Sequence, residues 1–166
     1  MAKQEKAKER RKKRTSKRRE LGFGPDRTTV RAQLDHLWSL AIRRRDRKVY
    51  AGLCLVCVIK RLLGFKTDSA NPIEVAYHVL PRGNDTTRWL LENGVGACGP
   101  CNEGEKWSRS GGRAVVKKRY RQIHIELIGE KKLLELEALA EQTADFSTAD
   151  LIELRDKLKA LVEGRS

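Results

Sequence analysis

The stretch Glu92-Asn-Gly-Val-Gly-Ala-Cys-Gly-Pro-Cys-Asn102 ends in two cysteines separated by two residues, and Cys54-Leu-Val-Cys57 has the same spacing. These two pairs contain all four cysteines of the chain. A two-residue gap lets both thiolates of a pair reach one ion from a tight turn, and two pairs complete the tetrahedral four-sulfur shell that structural zinc prefers. The sequence therefore predicts a structural zinc site whose ligands are Cys54, Cys57, Cys98 and Cys101.

Two other interpretations of the cysteines stay open. Two disulfides would need an oxidising compartment, and no apolar signal stretch indicates secretion. A redox-active Cys-x-x-Cys pair would leave the second pair without a role. Zinc accounts for both pairs, and because a closed four-sulfur shell has no open position, any chemistry must come from other residues.

The pattern around the cysteines predicts an α+β protein. Residues 73–80 alternate like a strand, residues 81–85 are rich in turn formers, and residues 94–98 are a short second strand. Residues 50–59 are predicted to be a short hairpin or knuckle. We expect a basic arm over 1–25, a leading helix over 26–50, a zinc-bound core over 51–112 and a C-terminal helical region over 113–166.

Two of the predicted helices are preceded by residues that can cap a helix N-terminus. Thr28 and Thr29 offer a start for the leading helix, and Ser147 or Thr148 can cap the last one. That last helix has an apolar stripe from Leu151 to Val162 that suits either its own core or a second subunit.

Positive charge dominates the composition. The 166 residues include 36 Lys and Arg against 22 Asp and Glu, a formal net charge of +14. Residues 1–20 alone hold 11 Lys and Arg against three Glu. Such an arm repels itself and lacks apolar periodicity, which predicts disorder in isolation and binding to phosphates; a solubilising tail or a localisation signal is the alternative. The expected DNA contacts in the arm are Arg10, Arg11, Lys12, Lys13 and Arg14.

The same composition bears on location. No apolar run approaches about 18 residues, so we expect no membrane span and a cytoplasmic protein. Nothing in the sequence offers an apolar face that would insert into an acidic lipid surface, which makes nucleic acid the favoured polyanion.

The segment Ala76-Tyr-His-Val-Leu-Pro-Arg-Gly-Asn-Asp-Thr-Thr-Arg88 carries His78 at the end of the first predicted strand. Asn93 precedes the second strand, and Asn102 directly follows the second cysteine pair. This order resembles the HNH, or ββα-metal, nuclease superfamily, and in detail it is similar to the phage lambda NinG/Rap recombination family. The resemblance extends over about residues 30–160, through Leu34-Asp-His-Leu-Trp-Ser39 and Phe146-Ser-Thr-Ala-Asp-Leu-Ile-Glu-Leu154.

The resemblance implies a small zinc-knuckle ββα-metal core and a structure-specific endonuclease that acts on branched DNA such as Holliday junctions. By the resemblance, His78 is the general base, Asn102 is an oxygen ligand of a catalytic Mg²⁺ or Mn²⁺, and Asn93 pins the loop by hydrogen bonds. Arg82 and Arg88 are candidate phosphate clamps or a solvated loop face. Because junctions are two-fold symmetric, a homodimer is expected. If the gene is phage-encoded, the location is the bacterial host cytoplasm.

One position departs from the family. Many members of the superfamily carry Asp or His directly before the histidine, and NinG-like sequences usually carry Asp three residues before it, whereas this chain has Tyr77 and Val75 at those positions. The carboxylate ligand of the catalytic ion is therefore unidentified, and the candidates are Glu74, Asp85, Glu103 and Glu105. Two alternatives to the nuclease follow: a catalytically inactive, zinc-stabilised nucleic-acid-binding protein, and a ribosome- or RNA-associated zinc protein. His36 and His124 are interpreted as surface or structural residues, and the three tryptophans as packing residues.

Overall fold

A computed structural model of the chain describes residues 24–65, 71–103 and 114–165, together with Glu5. The elements in order are α1 (Arg27–Val49), α2 (Leu55–Leu62), β1 (Val75–His78), α3 (Asp85–Arg88), a 3₁₀ turn (Leu91–Asn93), β2 (Gly94–Ala97), α4 (Ala114–Ile128), α5 (Glu130–Ala140) and α6 (Thr148–Glu163). A helical turn at 99–103 follows β2. The expected α+β class, with a small two-stranded sheet and flanking helices, is confirmed. The predicted DNA contacts of the arm, residues 10–14, lie outside the described residues.

The two strands form an antiparallel hairpin that separates the protein into two sides. Val75 pairs with Ala97 and His78 pairs with Gly94. Because side chains alternate across a strand, Val75 and Tyr77 face one side together with Val95 and Ala97. We call this the cysteine side, since Cys54, Cys57, Cys98 and Cys101 belong to the same cluster, and α2, α4 and α5 cover it.

The opposite face of the hairpin, which we call the histidine side, is covered by α1 and α6. It presents small residues, and a Cβ added at Gly94 would lie 2.5 Å from Trp38 Cζ2. A Cβ at Gly96 would lie 2.9 Å from Ile73 Cδ1. The missing side chains therefore let α1 approach the backbone of β2.

A buried carboxylate fixes α1 to β2. Asp46 is 1% exposed and accepts a hydrogen bond of 2.6 Å from the backbone N–H of Gly96. Arg45 pairs with Asp46 and also donates to the carbonyl oxygen of Gly94. A buried charge with these partners is well compensated, so the end of α1 is held on the strand.

The last helix closes the histidine side. Leu151 and Leu158 of α6 are buried in one cluster with Val30 and Leu34 of α1. At these two residues the apolar stripe packs on the chain's own core, so this part of the stripe is not open to a second subunit. Ser147 caps α6 in a reciprocal capping box with Asp150, as the sequence indicates.

Two sequence predictions are wrong in detail. α1 is capped by Asp26, whose side chain accepts from the N–H of Thr29, and not by Thr28 or Thr29. Of the two alternatives for residues 50–59, a hairpin or a knuckle, the hairpin is wrong, because α2 begins directly after Cys54. Its buried residues, Val56 and Ile59, have helical spacing, and burial of that face outweighs the β-branched composition.

None of the helices within the described ranges has the length and apolar character needed to cross a bilayer.

Candidate metal centre and histidine site

The four cysteines lie together in the cysteine side. Their sulfur atoms are all within 4.8 Å of one another and all four residues are buried. The Sγ atom of Cys57 lies 3.6 Å from that of Cys98 and 3.5 Å from that of Cys101. A tetrahedral ion with metal–sulfur bonds of about 2.3 Å separates its sulfur ligands by about 3.8 Å. The cluster therefore has the composition and spacing to bind a metal ion such as zinc.

Backbone hydrogen bonds shape the two knuckles. The N–H of Cys54 donates to the carbonyl of Asn71, and the N–H groups of Cys57 and Val58 turn back to the carbonyl of Cys54. In the second knuckle the N–H of Asn102 donates to the carbonyl of Cys98. Both cysteine pairs thus occupy the start of a helical turn, which brings residues three apart together.

Polar groups surround the sulfurs. The side-chain amide of Asn71 lies 3.8 Å from Cys98 Sγ, and Nζ of Lys60 lies 3.7 Å from Cys101 Sγ. A hydrogen bond from Cys101 lowers the pKa of Cys54 to about 5, and the same bond raises the pKa of Cys101, so one thiolate is favoured while its partner keeps a proton that an ion would displace. Burial works to lower the pKa of Lys60, but its contacts with Cys101 and Tyr120 prevail and raise it, so the ammonium stays charged beside the sulfurs.

His78 lies on the histidine side, at the end of β1. Its Nε2 is 3.1 Å from the carbonyl oxygen of Arg88. Since a carbonyl only accepts, Nε2 is the donor. The imidazole also stacks on the indole of Trp38, with ring centroids 3.9 Å apart and planes at 17°. Both the plane of the ring and the direction of its N–H are therefore determined by neighbours.

Asn93 holds the loop that follows His78. It is fully buried, its Oδ1 accepts from the N–H of Leu80 at 2.7 Å, and its Nδ2 donates to the carbonyl of Thr87 at 3.0 Å. Its own carbonyl accepts from the N–H of Val79. One asparagine thus ties the start of the loop to its end.

Arg88 and Asp35 form an ion pair beside the histidine. The guanidinium of Arg88 donates twice to the Asp35 carboxylate, at 2.8 and 2.6 Å, and Trp89 Nε1 adds a third bond of 2.8 Å. Burial works to raise the pKa of Asp35, but the bonds from Arg88 and Trp89 prevail and hold it below its usual value. Arg88 is therefore engaged inside the protein and does not belong to a solvated loop face, whereas Arg82 is exposed.

The predicted carboxylates do not gather at His78. Glu74 accepts from the N–H of Gly99 at the second knuckle, and Asp85 is bound by the guanidinium of Arg31 at 2.6 and 2.5 Å. Glu103 is exposed after the second knuckle, and Glu105 lies outside the described residues. Over the described ranges, the cysteine cluster is the one group of three or more His, Cys, Asp or Glu residues placed to hold an ion.

Tyr77 faces the cysteine side of the hairpin. Its hydroxyl lies 2.6 Å from Nε2 of the buried His124. Asn102 follows the second cysteine pair, half-buried. His36 is exposed, and Trp38 and Trp89 are core residues, while Trp107 lies outside the described residues.

Sequence reasoning missed the roles of Asp35 and Trp38. Both lie on α1, one turn apart, and face the loop that carries Arg88 and Trp89. The available signal was their spacing of three residues, which places them on one helix face.

No family model, curated protein or solved structure matches this chain. The resemblance to the ββα-metal nucleases therefore rests on the residues themselves: the two cysteine pairs, His78, Asn93 and Asn102.

Proposed function

We propose that the chain is a zinc-stabilised DNA endonuclease of the ββα-metal type that cuts branched DNA such as Holliday junctions. The observation that carries the proposal is His78, held at the end of β1 by the carbonyl of Arg88, in a loop tied together by Asn93. A hairpin followed by a helical turn at 99–103 has the order of elements that the resemblance implies.

His78 supplies the proton transfer in this proposal. Hydrolysis of a phosphodiester needs a base that takes a proton from water, and imidazole titrates near physiological pH. A neutral imidazole that donates through Nε2 carries its lone pair on Nδ1. The bond to Arg88 thereby selects the tautomer in which Nδ1 is the basic atom.

The proposal involves two metal ions, one with a structural role and one with a catalytic role. The four sulfurs fit zinc, which would be structural and would tie the knuckle after Cys54 to the end of β2. The resemblance also implies Mg²⁺ or Mn²⁺ bound by Asn102, but the described carboxylates do not form a site for it near His78. Asn102 stays a predicted ligand, and no step is derived through that ion.

The test is incision of a four-way junction labelled on each strand, with Mg²⁺ or Mn²⁺ present. His78→Ala should reduce cutting by about 100-fold or more, since general base catalysis contributes about 10²–10⁴-fold. Junction binding and zinc content should stay unchanged. His36→Ala is the matched control, because His36 is an exposed histidine of α1. If His78→Ala cuts as fast as the parent protein, the proposal fails.

A second candidate is a DNA-binding protein without cleavage. It is favoured by the ion pairs of the histidine side, because Arg88 binds Asp35 and Arg31 binds Asp85. Carboxylates engaged in this way are not offered to a catalytic metal ion. This candidate predicts salt-sensitive binding with no incision. Competition between branched DNA and RNA would separate it from an RNA-associated protein, and sedimentation at micromolar concentration would test the predicted homodimer.

A further inference from the structure

The orientation of His78 depends on a helix that precedes it by about 40 residues. We propose that Trp38 and Asp35 of α1 are positioning residues for His78: Trp38 fixes the plane of the imidazole, and Asp35 fixes the carbonyl that receives its N–H. The structural part of this inference stands without cleavage, whereas its catalytic consequence rests on the proposed function.

Trp38 is a rigid support for the imidazole. It is 1% exposed, and its Nε1 donates to the carbonyl of Leu90 at 2.9 Å. The backbone of Gly94 lies against its six-membered ring, so closely that an added Cβ would come to 2.5 Å. The indole therefore cannot rotate without breaking a hydrogen bond and displacing β2. An imidazole stacked on it at 17° shares that fixed plane.

Asp35 acts through the backbone of the loop. Its carboxylate holds the guanidinium of Arg88 by two bonds and the indole N–H of Trp89 by a third. Two consecutive residues are thus tied to one side chain of α1. The N–H of Arg88 also donates to the carbonyl of Asn84 at 3.0 Å, so the peptide that carries the acceptor for His78 is restrained on both sides.

The stack on Trp38 and the hydrogen bond to the Arg88 carbonyl restrain the histidine side chain in different ways. An imidazole at a strand end can rotate about both of its side-chain torsions, and the second is broad. The stack sets the plane of the ring, and the bond to Arg88 decides which edge of the ring faces the protein. Together they select one rotamer and one tautomer before any substrate arrives.

Hydrogen bonds also fix α1 to the loop and to β2, so the helix can hold His78 in one orientation. Arg45 donates to the carbonyls of Leu91 and Gly94, and Gly94 is the strand residue that pairs with His78. Asp46 accepts from the N–H of Gly96 on the same strand. A displacement of about 1 Å of a catalytic group can lower the rate by about 10²-fold. The hydrogen bonds that fix α1 should therefore affect the rate through the position of His78.

NMR of the three histidines in ¹⁵N-labelled, zinc-loaded full chain tests the inference. Wild-type His78 should be the Nε2–H tautomer, with ring protons shifted upfield by the indole. Trp38→Leu should abolish the upfield shift and give a mixture of tautomers, whereas Trp38→Phe should keep the tautomer and part of the shift. His124, buried on the cysteine side, is the internal control whose signals should not change.

Asp35→Asn provides a second, milder variant, because it removes the charge while it keeps the shape of the side chain. It should retain the stack and its ring-current shift but weaken the selection of the tautomer. If wild-type His78 shows an unshifted mixture of tautomers, or if Trp38→Leu leaves its signals as they are, the inference is overturned.

Kinetics separate the inference from the proposed function. If the chain cuts junctions, Trp38→Leu should lower kcat by about 10–100-fold with KM unchanged, and Trp38→Phe should stay within about three-fold of the parent. Equal loss in both variants would overturn positioning by Trp38. The expected NMR signature together with no incision would refute the nuclease and leave the positioning of His78 established.

Discussion

The cysteine side and the histidine side of the hairpin are held by different forces. On the cysteine side, four thiols from two knuckles converge within 4.8 Å, an arrangement suited to an ion. On the histidine side, Trp38, Asp35 and Asp46 of one helix reach the loop and β2 directly. Both sides share the same two strands, so each force acts on the same short hairpin.

The comparison shows how a two-stranded sheet can be kept in place. A hairpin of four-residue strands is marginal by itself in water. Here one face of the hairpin packs into the apolar core of the cysteine side through Val75, Tyr77, Val95 and Ala97. On the other face, the glycines of β2 allow α1 to approach the backbone. The cysteine side should therefore respond to metal, and the histidine side to the shape of its side chains.

Removal of the metal should produce the largest effect. In zinc-finger peptides the metal contributes about 10–16 kcal/mol, comparable to the whole stability of about 5–15 kcal/mol of a domain. Chelation or Cys57→Ser should therefore unfold the cysteine side. Hydrogen exchange at α2, β2 and α4 would measure this, with Gly83→Ala as a control because that site is open. Unchanged protection after verified metal removal would contradict the comparison.

A side chain at Gly94 should produce the next largest effect, now on the histidine side. Gly94→Val would collide with Trp38 and Ile42 and should lower the free energy of unfolding by about 3 kcal/mol. Gly83→Val is the matched control, because nothing lies within 4 Å of that position. Urea denaturation gives the free energies, and zinc analysis should find the metal retained. Loss of zinc in Gly94→Val would show that the two sides are not independent.

The smallest effect concerns pH and Asp35. The pKa of Asp35 is lower in the folded protein than its usual value, so its ionised form stabilises the fold above the ordinary pKa of about 4. That contribution is lost as pH falls through the lowered pKa. At pH 7, Asp35→Asn should therefore be less stable than the parent by under about 1 kcal/mol, because the pair is partly exposed to solvent.

The difference between parent and Asp35→Asn should shrink as pH falls from about 4 through the lowered pKa, because the carboxyl of the unfolded parent becomes protonated first and that of the folded parent follows. Urea denaturation at pH 7 and pH 3 measures it, and Asp156→Asn serves as a control because that carboxylate is more exposed and pairs with a neighbour in sequence. A difference that persists undiminished at pH 3 would assign the effect to shape and not to charge.

Local signals predicted the parts of the structure that depend on neighbours in sequence. The cysteine spacing indicated the cluster, and Ser147 or Thr148 indicated the start of α6. The strands were also predicted within a few residues, because turn formers border the alternating pattern.

The contacts of the histidine side join residues about 40 to 54 positions apart, and no local pattern specifies such partners. Asp35 with Arg88 and Trp38 with His78 are examples. The alternating glycines of Gly94-Val-Gly-Ala97 did carry a signal of close backbone approach, yet they do not name the helix that approaches. The hairpin alternative for residues 50–59 failed because β propensity yields to burial in α2.

The pairing of α1 with α6 has a consequence for the order in which the protein folds during synthesis. All four cysteines have been synthesised once residue 101 is complete, so an ion can join the two knuckles before α4 and α5, which complete that side, are made. Leu151 and Leu158, which cover Val30 and Leu34, emerge from the ribosome about 50 residues later. In the interval Val30 and Leu34 lack the cover that α6 provides, which makes the nascent chain and any product truncated before α6 targets for chaperones and aggregation.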